Sequence, residues 1–378
     1  MGMRVFVDTP AFFIRPTTNT DWRYMRELGR ITEHAAVDFL YPFDLRDIFH
    51  ENAKLISSKV FKKYFAKKEE YWNANPSRDI GIDSVEKLRA DVVYSHRAQF
   101  PTNLGPKPFV WFHSVADPRM SKANGATDAD IEAQYQKQAA GYRLATRVQV
   151  TSDVEVARHA AKFPEFSDRF VSVPWFRPGL IAAPTSMVKQ KHLDDKRVRL
   201  VFVGRQARRK GLDIVLNALR LMSDAERKSL SFDIVTSFSD GPVDLDVDVE
   251  LRVHREIDNK SLFELMRNAH IYVMPCRFET FGLVFVEAMS HGCGVLAPDW
   301  EVQREILDYG RAGINAAPTA EEVCRGLRAL CQDREKRTEL AEAALQRFEE
   351  KYSPKVVAIA YSSMFEMAVA AKERRAQG

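Results

Sequence analysis

Cysteine is scarce in this chain of 378 residues. Cys276, Cys293, Cys324 and Cys331 all fall in the last third, and none is spaced as a CxxC pair or a zinc site. They read as reduced, packed thiols, the expectation for a cytoplasmic protein. No apolar run approaches the ~20 residues of a membrane-spanning helix. The first residues, Met1-Gly2-Met3-Arg4-Val5-Phe6-Val7-Asp8, lack a secretory h-region and cleavage site, and position 6 is Phe where a myristoylation motif needs Ser or Thr. Charge of one sign is also missing. Fifty-six basic against 52 acidic residues leave a formal net charge of +4, too little to argue for a nucleic-acid protein. Glycine and proline, 17 each, are far from collagen-like or low-complexity proportions.

What remains is a globular chain whose length suggests two domains and whose core needs no disulfide or metal to fold. Short β-rich runs alternate with helical patterns. Strands are predicted over residues 4–8, 37–41, 91–95, 108–113, 147–151 and 170–173, then over 198–203, 231–236, 249–253 and 271–274. Helical periodicity marks 22–33, 130–146, 153–162, 211–221, 259–267, 283–290 and 320–332. Continuously apolar strands such as Leu200-Val201-Phe202-Val203 suit a parallel sheet covered on both faces, and strict alternation argues for a doubly wound α/β architecture. An aperiodic stretch at 178–186 and a charged segment at 189–199 divide the chain. We expect an N-terminal domain over 1–178 and a C-terminal one over 190–353, with a cleft at the carboxyl ends of their strands. From Lys54 to Trp72, Ile56, Val60, Phe61, Tyr64 and Phe65 recur at helical spacing among five lysines. That pattern serves either an ordinary core-facing stripe, its default use, or a basic helix in peripheral contact with an anionic membrane.

Two segments carry chemistry. In Phe202-Val203-Gly204-Arg205-Gln206-Ala207-Arg208-Arg209-Lys210-Gly211, a buried strand ends at a glycine and four cations follow. Arg205 and Lys210 suit a diphosphate, one through a forked guanidinium and the other as a point charge; Arg208 and Arg209 read as solvated. In Met274-Pro275-Cys276-Arg277-Phe278-Glu279-Thr280-Phe281-Gly282-Leu283, a strand runs into a turn and then a helix that reaches Ser290. Amides of Phe281, Gly282 and Leu283 at that helix start form an anion site. Glu279 precedes the helix and Glu287 lies a little over one turn inside it, so the carboxylates bracket one phosphate site. Helix-dipole pairing for Glu279 and a solvent-facing place for Glu287 are the plainer readings. A carboxylate among Leu283, Val284, Phe285, Val286, Ala288 and Met289 is costly, however, unless a partner satisfies it.

Gly204-Arg205, Lys210-Gly211 and the Glu-x7-Glu element of Glu279 and Glu287 together resemble the retaining GT-B glycosyltransferases, most closely family 4. The likeness extends through residues 269–275, 304–307 and 310–315 to Tyr352-Ser353-Pro354. It implies two Rossmann-like domains, with a last helix over 354–378 returning to the first. It implies transfer of a hexose-type sugar from a nucleotide diphosphate donor (UDP-, GDP- or ADP-linked) to an acceptor hydroxyl of a saccharide, lipid-linked or small-molecule partner, with no metal and no nucleic acid. By the same resemblance, Arg205 and Lys210 stabilise the leaving diphosphate and Glu287 holds the ribose. Glu279, Thr280 and the amides of Phe281, Gly282 and Leu283 meet the sugar or phosphate. Residues 253–256, Arg255 among them, lie against the base, and His113 lines the sugar. With no clear nucleophile in view, a front-face mechanism is expected.

The sequence departs from that family at the first loop, residues 8–20, which has no glycine; Thr17, Thr18 and Asn19 stand there instead. Thr280 replaces a glycine, and Gly292-Cys293-Gly294-Val295 replaces a Gly-x-Pro-Val turn. His96 is a weaker companion to His113. Asp128-x-Asp130 and Asp244-x-Asp246-x-Asp248 match the Asp-x-Asp spacing of metal-using glycosyltransferases but read as acidic loops. The same scaffold also admits a nucleotide-sugar epimerase, a phosphorylase or a non-catalytic glycan-binding protein.

Overall fold

A computed structural model describes residues 3–8, 37–40, 90–95, 107–112, 122, 125–177, 179–193, 197–255 and 257–377. The chain divides into one unit of residues 1–174 and 357–378 and a second of residues 175–356.

The first unit is built on a six-stranded parallel sheet. Its strands are β1 (Met3–Asp8), β2 (Val37–Leu40), β3 (Val92–Ser95), β4 (Phe109–Phe112), β5 (Arg147–Val150) and β6 (Phe170–Ser172), in the order β2-β1-β3-β4-β5-β6. Strands β3 and β4 are buried at every position, as unbroken apolar runs require of a sheet covered on both faces. Helix α1 (Asp128–Leu144) begins in a capping box. Thr127 Oγ1 accepts from the Asp130 amide at 3.1 Å while Asp130 Oδ2 accepts from the Thr127 amide at 2.8 Å. The Asp128-x-Asp130 pair is therefore a helix start rather than a loop. Helix α2 (Asp153–Lys162) is capped by Ser152.

The second unit repeats the plan with β7 (Val198–Val203), β8 (Leu230–Val235), β9 (Glu250–His254), β10 (Ile271–Val273), β11 (Gly294–Pro298) and β12 (Ile314–Ala316), all parallel. The order β12-β11-β10-β7-β8-β9 is the doubly wound 3-2-1-4-5-6 arrangement read from its far edge. Its helices are α3 (Thr185–Leu193), α4 (Leu212–Arg220), α5 (Asp224–Lys228), α6 (Asn259–Asn268), α7 (Leu283–Ser290), α8 (Glu301–Ile306), α9 (Ala320–Gln332) and α10 (Arg334–Arg347). The core runs through Leu200, Phe202, Phe232, Ile234, Tyr272, Val295 and Leu296, all fully buried. Strands β11 and β12 and helix α3 occupy stretches where the sequence pattern marks no element. Helix α3 buries Val188 against Ala341 and Leu345 of α10, so the aperiodic and charged divide belongs to the second unit.

Helix α11 (Pro354–Gln377) leaves the second unit after Val356 and completes the first. Tyr361 accepts from Gln149 Nε2 at 2.9 Å, and Tyr94 donates to Gln149 Oε1 at 2.6 Å. Phe365 packs edge-on to Tyr94 at 5.5 Å. Among the described residues, no helix is long and apolar enough to cross a membrane. The basic segment from Lys54 to Trp72, the predicted helix at 22–33, the loop holding Thr17 to Asn19, and His96 and His113 all lie outside the described residues.

Candidate functional site

In a doubly wound sheet the strand order reverses at a switch point, and ligands bind outside the carboxyl ends of the strands there. In the second unit that point falls between β7 and β10, which pair directly. The segment after β7 carries Gly204 to Lys210, and the segment after β10 carries Glu279 to Leu283. Topology alone thus sets the two sequence motifs side by side, although about 70 residues separate them in the chain.

Direct contacts staple the loops together. The Arg277 amide donates to the Arg209 carbonyl at 3.0 Å, and Arg209 Nη1 donates to the Phe278 carbonyl at 2.9 Å. Arg277 also forks onto Asp213 of α4, at 2.8 and 2.7 Å. Arg209 is therefore a bracket between loops and not the solvated cation its sequence suggests. Gly211, at φ +84°, lets the chains meet: a Cβ there would stand 2.3 Å from the Pro275 carbonyl oxygen.

Within this frame Lys210 pairs with Glu279 in an ion pair whose side chains are each 13% exposed. Glu279 Oε1 also accepts from the Thr280 amide at 3.1 Å. Arg205 behaves differently. Its carbonyl accepts from Ser237 Oγ at 2.9 Å and Ser239 Oγ at 3.2 Å, while its exposed guanidinium engages no described residue. The site therefore holds one cation already balanced by a carboxylate and one with its donors unused.

Helix α7 begins at Gly282, again left-handed at φ +84°. A Cβ at that position would come within 2.6 Å of the Phe285 ring and 3.0 Å of Glu279 Cγ. Amides of Phe281, Gly282 and Leu283 donate to no described residue. They project from the positive end of the helix dipole, a place that favours an anion. The Phe281 carbonyl is fixed by Gln303 Nε2 of α8 at 2.8 Å, and the Phe281 ring packs edge-on to Tyr352 at 6.1 Å. Glu287, one turn on, is only 3% exposed, which sets aside the solvent-facing reading. It forms an ion pair with Arg177, from the segment ahead of α3. Burial pushes its carboxyl upward, and Arg177 opposes that shift.

Arg255 is exposed and lies over the Phe238 ring at 5.3 Å. Beside it opens a cavity of about 750 Å³ whose lining includes Val253, His254, Arg255, Asp258, Ser261 and Glu264. Phe238 holds the strained φ of +51°, a conformation non-glycine residues seldom adopt. Asp244 of the remaining acidic repeat is held by Arg220 at 2.7 Å in the loop between β8 and β9.

Sequence reasoning missed Arg177, Arg209, Arg277 and Gln303. Arg177 sits in Trp175-Phe176-Arg177-Pro178, which shows no periodicity, and its partner is 110 residues away. Gln303 gives one local signal, a polar residue between apolar Val302 and Ile306 at the buried face of α8.

Residues 185–347 match the family model described as Glycosyl transferases group 1. The chain is 31% identical over 167 residues to D-inositol 3-phosphate glycosyltransferase 1 of Catenulispora acidiphila, covering 39% of each chain. It is 28% identical over 132 residues to an uncharacterized 41.2 kDa protein in the cps region of Klebsiella pneumoniae, covering 33% of this chain and 34% of that protein. It thus spans little more than a third of the length of these relatives. Among solved structures, sucrose-phosphate synthase from Thermosynechococcus elongatus superposes with a TM-score of 0.64 at 17% identity, over 98% of this chain and 100% of that one. Anabaena HepE, in complex with UDP and glucose, superposes at 0.60 and 13% identity, over 97% and 100%. The chain has the GT-B fold, and its residues 185–347 carry the glycosyl transferases group 1 match.

Proposed function

We propose that this protein is a glycosyltransferase that moves a hexose-type sugar from a nucleotide diphosphate sugar to an acceptor hydroxyl, with retention at the anomeric carbon. One observation carries the reading. At the switch point of the second sheet, an unengaged guanidinium (Arg205) and a lysine–glutamate pair (Lys210, Glu279) accompany the unengaged amides that open α7. A diphosphate brings the negative charge such a place lacks. On binding, it competes with Glu279 for the Lys210 ammonium, and the freed carboxylate turns to the sugar hydroxyls beside Thr280.

As the bond from the anomeric carbon to the phosphate oxygen breaks, charge grows on the leaving diphosphate. Arg205, Lys210 and the α7 amides stabilise it most at that moment. The acceptor oxygen bonds to the same face of the anomeric carbon, and its proton passes to the departing phosphate. Preorganised cations and amides do the work in this scheme, without a metal. Glu287 takes the ribose, and the cavity beside Arg255 takes the base. UDP and glucose in the Anabaena structure make a UDP-linked hexose the first donor to try. Glycan or glycolipid assembly supplies the acceptor in this reading.

Thermal shift of the full chain against UDP, GDP, ADP and their hexose conjugates tests the donor, followed by turnover with the best of them. Stabilisation by one nucleotide series is expected, and turnover is expected to vanish in the Arg205→Ala, Lys210→Ala double variant while the unfolding midpoint stays within a few degrees. Wild-type turnover in that variant overturns the assignment.

A further inference from the structure

Glu287 is a buried carboxylate with an incomplete set of partners. It is 3% exposed, and Arg177 engages Oε1, but Oε2 meets no described residue. Buried carboxylates ordinarily collect donors on both oxygens. Arg177 is itself held in place by an aromatic ring. Its guanidinium lies over the Phe263 ring of α6 at 4.9 Å, and that ring packs edge-on to His291, just past α7, at 5.1 Å. The arginine therefore holds the carboxylate in one orientation, with one oxygen committed and the other open.

We propose that Arg177 is a positioning residue that makes the site demand ribose: by holding Oε1 of Glu287, it leaves Oε2 as a fixed, charged acceptor that only a sugar hydroxyl of the nucleotide satisfies. This rests on the reading that Glu287 meets the donor's ribose. A nucleotide lacking that hydroxyl would seal a buried charge against nothing, which is why polar sites reject analogues missing a donor. Without Arg177 the constraint disappears, because nothing then holds Oε1 in place and burial raises the Glu287 carboxyl unopposed. Of the groups around it, Arg177 from the segment ahead of α3 is the charge that acts on Glu287, and Tyr272 of β10 is a titratable group it acts on in turn. On its own helix, Ser290 Oγ donates to the Glu287 carbonyl and not to the carboxylate.

The test is calorimetric binding of UDP, GDP and ADP, each against its 2′-deoxy counterpart, between pH 6 and pH 9, with thermal unfolding recorded in parallel. Wild-type protein is expected to favour the ribonucleotide by about tenfold or more. Arg177→Gln is expected to bring the two within about threefold and to move the acid-side loss of affinity to higher pH, while Arg177→Lys, which keeps the charge but not the stacked guanidinium, keeps only part of the preference. Phe263→Leu, which loosens Arg177 without removing it, shifts the preference the same way by less and serves if Arg177→Gln fails to fold. Folded Arg177→Gln or Phe263→Leu protein with the wild-type preference and pH profile overturns the role of Arg177. If wild-type protein binds no ribonucleotide, or binds ribo and deoxy forms alike, the ribose reading of Glu287 fails first and this inference falls with it.

Discussion

Gly204 and Lys210 are packed one against the other: a Cβ on residue 204 would stand 2.7 Å from Lys210 Cγ and 2.9 Å from its Cβ. The glycine at the end of β7 is therefore the space in which the lysine stem lies. Both atoms it would strike are near the backbone, so the side chain has no cheap escape. Gly204→Ala is expected to displace the ammonium from Glu279 and to cost about 1–3 kcal/mol of stability. Turnover should fall by more than unfolding accounts for. Parallel urea unfolding and donor kinetics check this, and wild-type kcat with a lowered midpoint would contradict it.

Gly282 is expected to be less replaceable still. Its φ of +84° and the 2.6 Å approach to the Phe285 ring act together. A left-handed Ala costs roughly 1–2 kcal/mol before any clash is counted. Gly282→Ala should lower the unfolding midpoint and weaken nucleotide binding by altering the amides that open α7. Calorimetry on folded variant protein is the measure, and unchanged affinity would remove those amides from the donor site.

Gln303 tests how the Phe281 carbonyl is held. It is fully buried, gives one bond to the Phe281 carbonyl, and has an unpartnered Oε1. Leucine has similar bulk and removes the orphaned amide oxygen but leaves the buried Phe281 carbonyl without its donor, so Gln303→Leu should cost about 1–3 kcal/mol. With the carbonyl released, the donor KM is expected to rise several-fold. A KM equal to wild type would show that the carbonyl needs no such hold.

Acid should weaken the second unit through three buried histidines, His291 and the pair His192 and His270. Burial is the largest influence on each, taking His192 down to about 3 and His270 to about 4. His192 Nε2 lies 3.0 Å from the Gly292 carbonyl, and His270 Nδ1 accepts from the Arg199 amide at 2.9 Å. Unfolded histidine titrates near 6.5, so between that pH and the folded-state values the unfolded chain binds more protons. Their contribution is thus complete above about pH 6.5 and is lost as pH falls, by about 1.4 kcal/mol per histidine per pH unit. Urea midpoints from pH 7 to pH 4 should fall accordingly, and His192→Gln should flatten the slope. A slope unchanged by that substitution would place the acid sensitivity elsewhere.

Much of this architecture is legible in the chain because burial on both faces writes itself as unbroken apolar runs. Residues 200–203 and 109–112 are plain in that way. Helix α3 is not, because Thr185–Leu193 buries only Val188 and His192 and so shows no stripe. Strand β12, three residues long, is too short for any period to emerge. At the site, Glu287 stands out as a lone acid in an apolar helix. Its ion pair with Arg177 does not, since nothing local to Trp175-Phe176-Arg177 specifies a partner so distant in sequence. The Lys210–Glu279 pair is of the same kind: composition reveals both charges, but only the strand order brings them into contact.

Helix α11 has a consequence for how the molecule is made. Tyr361 and Phe365, which close the core beside Tyr94 and Gln149, are translated after the whole of the second unit. The half that leaves the ribosome first therefore waits, with Tyr94 and its neighbours uncovered, until the later half has been synthesised. Vectorial synthesis and completion run in opposite order, and the exposed interval falls on the unit with the earlier sequence.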